Sequence, residues 1–150
     1  MPQITLPVTP QGLLLEIVIA ASTPRQAALQ ANGQPIPALV QIKALVDTGA
    51  DSTVIDQTVI AKLGIPPTGI TMIHSATSGV QPVPCRTFDV LLGIPGHSPG
   101  TVIVVVGALA VVESDFSAHA AHYNALLGRD VLDRGVLIYN GTAGVFTLSF

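Results

Sequence analysis

Short runs of Val, Ile, Leu and Thr recur along this chain between Gly and Pro punctuation, and its twelve prolines are spread over the whole length. Proline removes a backbone donor and clashes inside a helix, so this spacing excludes long helices and leaves room for many short strands. A mostly β fold is expected. Leu13 to Ala20 and Leu39 to Val46 read as strands. Asp56 to Gly64 holds one short helix: Asp56 can cap it, Val59, Ile60 and Leu63 share a face, and Gly64 ends it. Ile70 to Leu92 reads as a long hairpin whose tip lies near Ser75 to Gly79, where small and polar residues separate two extended arms. Val102 to Val106 is continuously apolar and reads as a strand buried on both faces. After a polar stretch from Glu113 to Asn124, Arg129 to Arg134 can form a short helix. Val136 to Tyr139 and Val145 to Phe150 then close the chain as a hairpin around Asn140-Gly141, two residues that tolerate positive φ.

A length of 150 residues fits one domain, residues 1–150. Charged residues make up only 10% of the chain, against roughly 25% in an average soluble protein. So little charge fits surface hidden in a permanent subunit interface, the alternative being a chain that simply packs tightly or aggregates readily. The net charge of −3 comes without any cluster of Lys or Arg, which argues against nucleic acid as a partner. The longest apolar run, Val102 to Val112, falls short of the ~20 residues that cross a bilayer. No basic segment followed by an apolar one opens the chain, so the expected setting is soluble and cytoplasmic. Cys85, the single cysteine, cannot form an internal disulfide and is expected to be a buried structural thiol.

The segment richest in chemistry is Ala44-Leu45-Val46-Asp47-Thr48-Gly49-Ala50-Asp51-Ser52-Thr53-Val54-Ile55. An apolar strand delivers an acid onto a turn, the turn carries a hydroxyl and a glycine, and a second apolar strand comes after it. A strand end positions a carboxylate better than a long loop does. Gly49 lets the backbone approach that carboxylate and donate to it.

This pattern closely resembles the active-site signature of the aspartic proteases, in particular the retroviral branch, the retropepsins. Leu126-Leu127-Gly128-Arg129-Asp130-Val131-Leu132 resembles the second signature of that branch, an apolar-apolar-glycine loop leading into a short helix that starts with arginine. The resemblance runs from about Leu39 to the end of the chain, with the polar stretch at Glu113 to Asn124 as an addition. It implies a single-lobe retropepsin-like acid protease fold with a flap hairpin and one short C-terminal helix. It further implies that Asp47, Thr48 and Gly49 form the catalytic loop, with Thr48 exchanging hydrogen bonds with a partner chain. Ala50 and Asp51 would contact substrate together with Ser75, Ala76, Thr77, Ser78 and Gly79 of the flap. Asp51 would also pair with Arg129 and, with Gly128, lock the loop to the helix. The flap has no tyrosine, unlike that of two-domain pepsins, and fewer glycines than viral flaps.

Hydrolysing a peptide without metal or covalent intermediate takes one carboxylate to accept a proton from water while another group protonates the carbonyl. No second Asp-Thr-Gly or Asp-Ser-Gly occurs: Asp133-Arg134-Gly135 has the wrong middle residue and Asp115-Phe116-Ser117 lacks the glycine. Asp47 therefore needs a partner from another chain, which a twofold homodimer supplies. The expected substrate is an extended peptide or protein segment, with no cofactor and no metal. His119 and His122 have neither a glutamate between them nor an obvious third ligand, a poor fit to a zinc hydrolase. The alternative is a catalytically inert dimerisation or peptide-binding module of the same fold. By resemblance to viral enzymes, Met1 to Pro7 and Val145 to Phe150 would interleave with a partner; pairing within their own subunit is the other possibility.

Overall fold

The computed structural model describes residues 1–74, 79 and 81–150. Ten strands and three helices occur among them, in the order β1 (Gln3–Pro7), β2 (Leu14–Ala21), α1 (Thr23–Ala31), β3 (Val40–Val46), β4 (Val54–Asp56), α2 (Gln57–Leu63), β5 (Gly69–Ile73), β6 (Val83–Pro95), β7 (Val102–Ser114), β8 (Ala125–Leu127), α3 (Arg129–Leu132), β9 (Val136–Asn140) and β10 (Val145–Ser149). Seven strands form one sheet in the order β2-β3-β8-β4-β7-β6-β5, and β2 pairs with β6 as well, which bends the sheet round on itself. Alternating side chains then fill its interior, as the period of two requires. Ile17, Ile19, Ile55, Val90, Leu92, Ile94, Val111 and Leu127 are fully buried there.

β3 pairs in parallel with β8 (Ala44↔Ala125, Leu45↔Leu126, Val46↔Leu127). This pairing places the end of β3 beside the Leu127-Gly128 turn, although the two are about eighty residues apart in the chain. The described part of the long hairpin consists of β5 and β6, in register from Gly69↔Thr87 to Ile73↔Val83.

The remaining strands form a separate antiparallel sheet, β1-β10-β9. β10 lies in the middle, with Ile4, Phe146 and Leu148 buried beneath. Both edges of β10 are thus taken by strands of its own chain.

Helix α2 forms because Asp56 accepts from Thr58 N and Thr58 Oγ1 (2.7 Å each), Val59, Ile60 and Leu63 point into the core, and Gly64 ends it at φ 59°. Asp56 is itself buried, and its second oxygen accepts from Phe116 N (3.3 Å). It thereby joins the helix start to the polar stretch after β7. Asp56→Ala should lower stability by about 2 kcal/mol through loss of the cap and of a bond to a buried N–H. Chemical denaturation checks this, with a lower midpoint and an unchanged slope expected.

One element was not foreseen and two local expectations need correction. Helix α1 comes after β2, capped by Ser22 and started by Pro24, and none of its residues is buried. Without an apolar stripe the sequence carries no periodic signal for it. The Val102 to Val106 strand is not buried on both faces: Val102 and Val105 are about half exposed, in a part of β7 that pairs with β6 alone, since β4 joins its other edge only from Val112 onward. Cys85 is only half-buried. It lies in the part of β6 paired with β5, beyond the main core.

Candidate active site

Asp47 begins the turn directly after β3. Its N–H donates to the Leu127 carbonyl (3.0 Å), and Val46 N donates to the Leu13 carbonyl (2.8 Å), so flanking strands hold the residue from both sides. Within the turn, Gly49 N donates to Oδ1 of Asp47 (2.9 Å), and Ala50 N to the Asp47 carbonyl (3.2 Å). A Cβ on residue 49 would stand 3.1 Å from that carboxylate oxygen, so glycine keeps the approach open. Asp47 is half-buried, whereas Thr48 and Gly49 are exposed.

A second layer fixes this turn to α3. Arg129 N donates to the Ala50 carbonyl (2.9 Å) and Asp130 N to the Asp51 carbonyl (3.3 Å). The Arg129 guanidinium donates to the Thr48 carbonyl (3.1 Å) and forms an ion pair with Asp51. Both side chains of that pair are largely exposed, so the pair itself contributes only ~0–1 kcal/mol. Its geometric effect is larger, since one side chain spans both ends of the turn.

The buried anchor is Thr53 with Asp130, a pair that sequence reasoning misses. Thr53 is fully buried. Its N–H and Oγ1 both donate to the Asp130 carboxylate (2.8 and 2.7 Å), while Oγ1 accepts from Gly128 N (3.1 Å). The hydroxyl thus uses its donor and one acceptor, and the carboxylate caps the backbone where the turn meets β4. Gly128 is tightly confined: a Cβ would lie 2.6 Å from the Ser52 carbonyl carbon and 2.9 Å from Thr53 N. Gly128-Arg129-Asp130 therefore acts as a unit. A fully buried threonine beside the loop leaves no trace in hydrophobic patterning, so only the adjacency of Thr53 to the motif could have pointed to it.

Of the expected flap contacts, Gly79 is exposed with φ 65°; Ser75, Ala76, Thr77 and Ser78 lie outside the described residues. At the base of the hairpin, Arg86 forms a bidentate pair with Glu113 (2.7 Å for each bond) and lies over the Phe88 ring at 5.5 Å. The hydrogen bond and charge of Glu113 hold the guanidinium above its ordinary pKa. A cavity of about 480 Å³ opens beside them against α2, and none of Asp47 to Asp51 lines it. Among the described residues, no group of three His, Cys, Asp or Glu gathers to hold a metal. His119 stacks on Tyr123, with centroids 5.3 Å apart. No helix among the described residues is long and apolar enough to cross a membrane.

A family model for aspartyl protease matches residues 27–131, a span that contains both the Asp47 turn and the Gly128-Arg129-Asp130 unit. The chain belongs to the aspartyl protease family. A retropepsin-like aspartic protease from Rickettsia conorii has a similar structure, with TM-score 0.56 and 15% identity over 97% of this chain and 89% of that one. At that identity the likeness speaks for the fold, which is retropepsin-like and mostly β, as the sequence resemblance implied. No curated sequence matches significantly. Helix α1 and the Pro35–Pro37 segment come between β2 and β3 in the chain, and a cavity of about 290 Å³ separates them from Gly64 and Ile65 at the end of α2.

Proposed function

We propose that this chain is an aspartic endopeptidase that hydrolyses extended peptide segments as a homodimer, with water activated between the Asp47 carboxylates of the two copies. The observation that carries the reading is the Asp47 turn: a carboxylate at a strand end, bonded by Gly49 N, in a loop tied down by Arg129 and by the buried Thr53–Asp130 pair. Such anchoring holds a reacting group in place while leaving it accessible. Two carboxylates brought close across a twofold axis cannot both be ionised, so the pair holds one proton. The ionised member takes a proton from water as the oxygen attacks the peptide carbonyl, and the protonated member gives its proton to the carbonyl oxygen. Collapse of the tetrahedral adduct returns a proton to the leaving amine. One proton must stay on while the other is off, so activity is expected at acidic to near-neutral pH.

In this reading Thr48 contacts its counterpart in the mate, and Ala50, Asp51 and the flap residues Ser75 to Gly79 receive the peptide as an added strand. Arg129, Asp51 and Gly128 act by positioning the loop. The test is cleavage of a diverse peptide mixture, read by mass spectrometry across several pH values, for the wild type and Asp47→Asn. Cleavage by the wild type alone supports the reading. Equal cleavage by both overturns it, and silence from a dimeric wild type favours the inert peptide-binding module.

A further inference from the structure

The chain has three asparagines, Asn32, Asn124 and Asn140, and glycine comes directly after Asn32 and Asn140. An asparagine before glycine is open to attack on its side-chain Cγ by the next backbone nitrogen, because glycine has no Cβ to shield that nitrogen. By sequence the two sites are equal. The fold separates them.

Asn32 caps the C-terminus of α1, and its Nδ2 donates to the Ala28 carbonyl (2.9 Å), so the amide is turned back along the helix. Gly33 N, the nitrogen that would attack, donates to the Gln30 carbonyl (3.1 Å). Both reacting groups are engaged elsewhere. Asn140 is arranged the opposite way. It is exposed at the end of β9, and its Oδ1 accepts from Ala143 N (2.9 Å), which folds the side chain forward over the turn. That N–H draws electron density from Cγ and is in place to stabilise the oxyanion formed when Cγ is attacked. The attacking Gly141 N and the leaving Nδ2 have no hydrogen-bond partner among the described residues.

We infer that Asn140 is a self-modifying site, converted by Gly141 and water into aspartate or isoaspartate while Asn32 stays intact. Gly141 N loses its proton to water and bonds to Asn140 Cγ. The Cγ–Nδ2 bond breaks, and the nitrogen takes a proton from water and leaves as ammonia. A water molecule then opens the five-membered imide. Cleavage of the new bond from Gly141 N to Cγ gives aspartate; cleavage of the original bond from Gly141 N to the Asn140 carbonyl carbon gives isoaspartate. The two products act differently on the terminal sheet. Aspartate still accepts from Ala143 N and puts a charged side chain into residues 136–150, which have none. Isoaspartate adds one carbon to the main chain at a residue whose pairing with Val145 closes the β9–β10 hairpin. That end of the hairpin must open.

The test is incubation of the folded chain at mildly alkaline pH, followed by peptide mapping with mass spectrometry that separates aspartate from isoaspartate. Asn140 should convert at least about tenfold faster than Asn32, since hydrogen bonds favour the reaction at one site and lock the other. The two rates should converge when the chain is held unfolded in guanidinium. In Gly141→Ala the added Cβ meets only the exposed Tyr139 ring, at 3.2 Å. This variant should keep the circular dichroism spectrum, slow conversion at Asn140 and leave Asn32 unchanged. Material carrying isoaspartate should melt below fresh protein, whereas Asn140→Asp should match it. No conversion at either site, equal rates in the folded chain, a faster Asn32, a ratio that survives unfolding, or conversion indifferent to Gly141→Ala would each overturn the inference. An unaltered melting temperature in isoaspartyl material would overturn the opening of the hairpin.

Discussion

Asp47→Asn is expected to lower kcat for peptide cleavage by at least roughly 10³-fold, since general acid–base catalysis by a positioned group contributes about 10²–10⁴ and the substitution alters both members of the pair. Asparagine keeps the size of the side chain and can still accept from Gly49 N, now 2.9 Å from Oδ1. Folding and dimer affinity should therefore be preserved while the base is lost. Subunit mixing sharpens the expectation. If copies exchange freely, equal amounts of wild type and Asp47→Asn yield about one quarter wild-type homodimers by random pairing. Activity per wild-type chain should then fall to about half. Activity per wild-type chain that does not change on mixing would mean that each chain works alone, contrary to the single Asp-Thr-Gly of the sequence.

The second large effect is expected at Gly128. Its added Cβ in Gly128→Ala would meet main-chain atoms, 2.6 and 2.7 Å from the Ser52 carbonyl carbon and oxygen, not the end of a flexible side chain. Backbone on both sides must shift. Overpacking of this kind costs about 3 kcal/mol at the upper end of its usual range. For a chain of this size that lowers Tm by about 6–12 °C. The shift also pulls on the Gly128 N to Thr53 Oγ1 bond (3.1 Å) and on the link from Arg129 N to the Ala50 carbonyl. Cleavage should thus fall even at temperatures where the variant remains folded. Differential scanning calorimetry beside kinetic assays separates the two effects. A variant with wild-type Tm would show that the Ser52–Thr53 segment yields easily, and the rigid-anchor account of the loop would fail with it.

Thr53 gives the clearest case of physics that pattern reading passes over. In the sequence it is one more residue of a short β-type run. In the folded chain its hydroxyl links Gly128 to Asp130, roughly seventy-five positions away. The antiparallel contact of β4 with β8 creates this link, and local spacing carries no record of it. Helix α1 was hidden for a different reason: a helix with no buried residue has no hydrophobic period to read. Cys85 was placed in the core by the general habit of free cysteines, yet it sits where β6 has run past the core to pair with β5.

The sequence by itself determined the mostly β class, the glycine-bounded acid at the end of an apolar strand, the second glycine-arginine signature and the count of one Asp-Thr-Gly motif per chain. All of these depend on short-range chemistry: residue type, capping, turn preference and alternation. Only the tertiary structure decided that Thr53 and Asp130 anchor the turn and that β10 is filled on both edges by its own chain. Those facts depend on which distant strands pair, and pairing is a property of the whole chain's burial, not of any one segment.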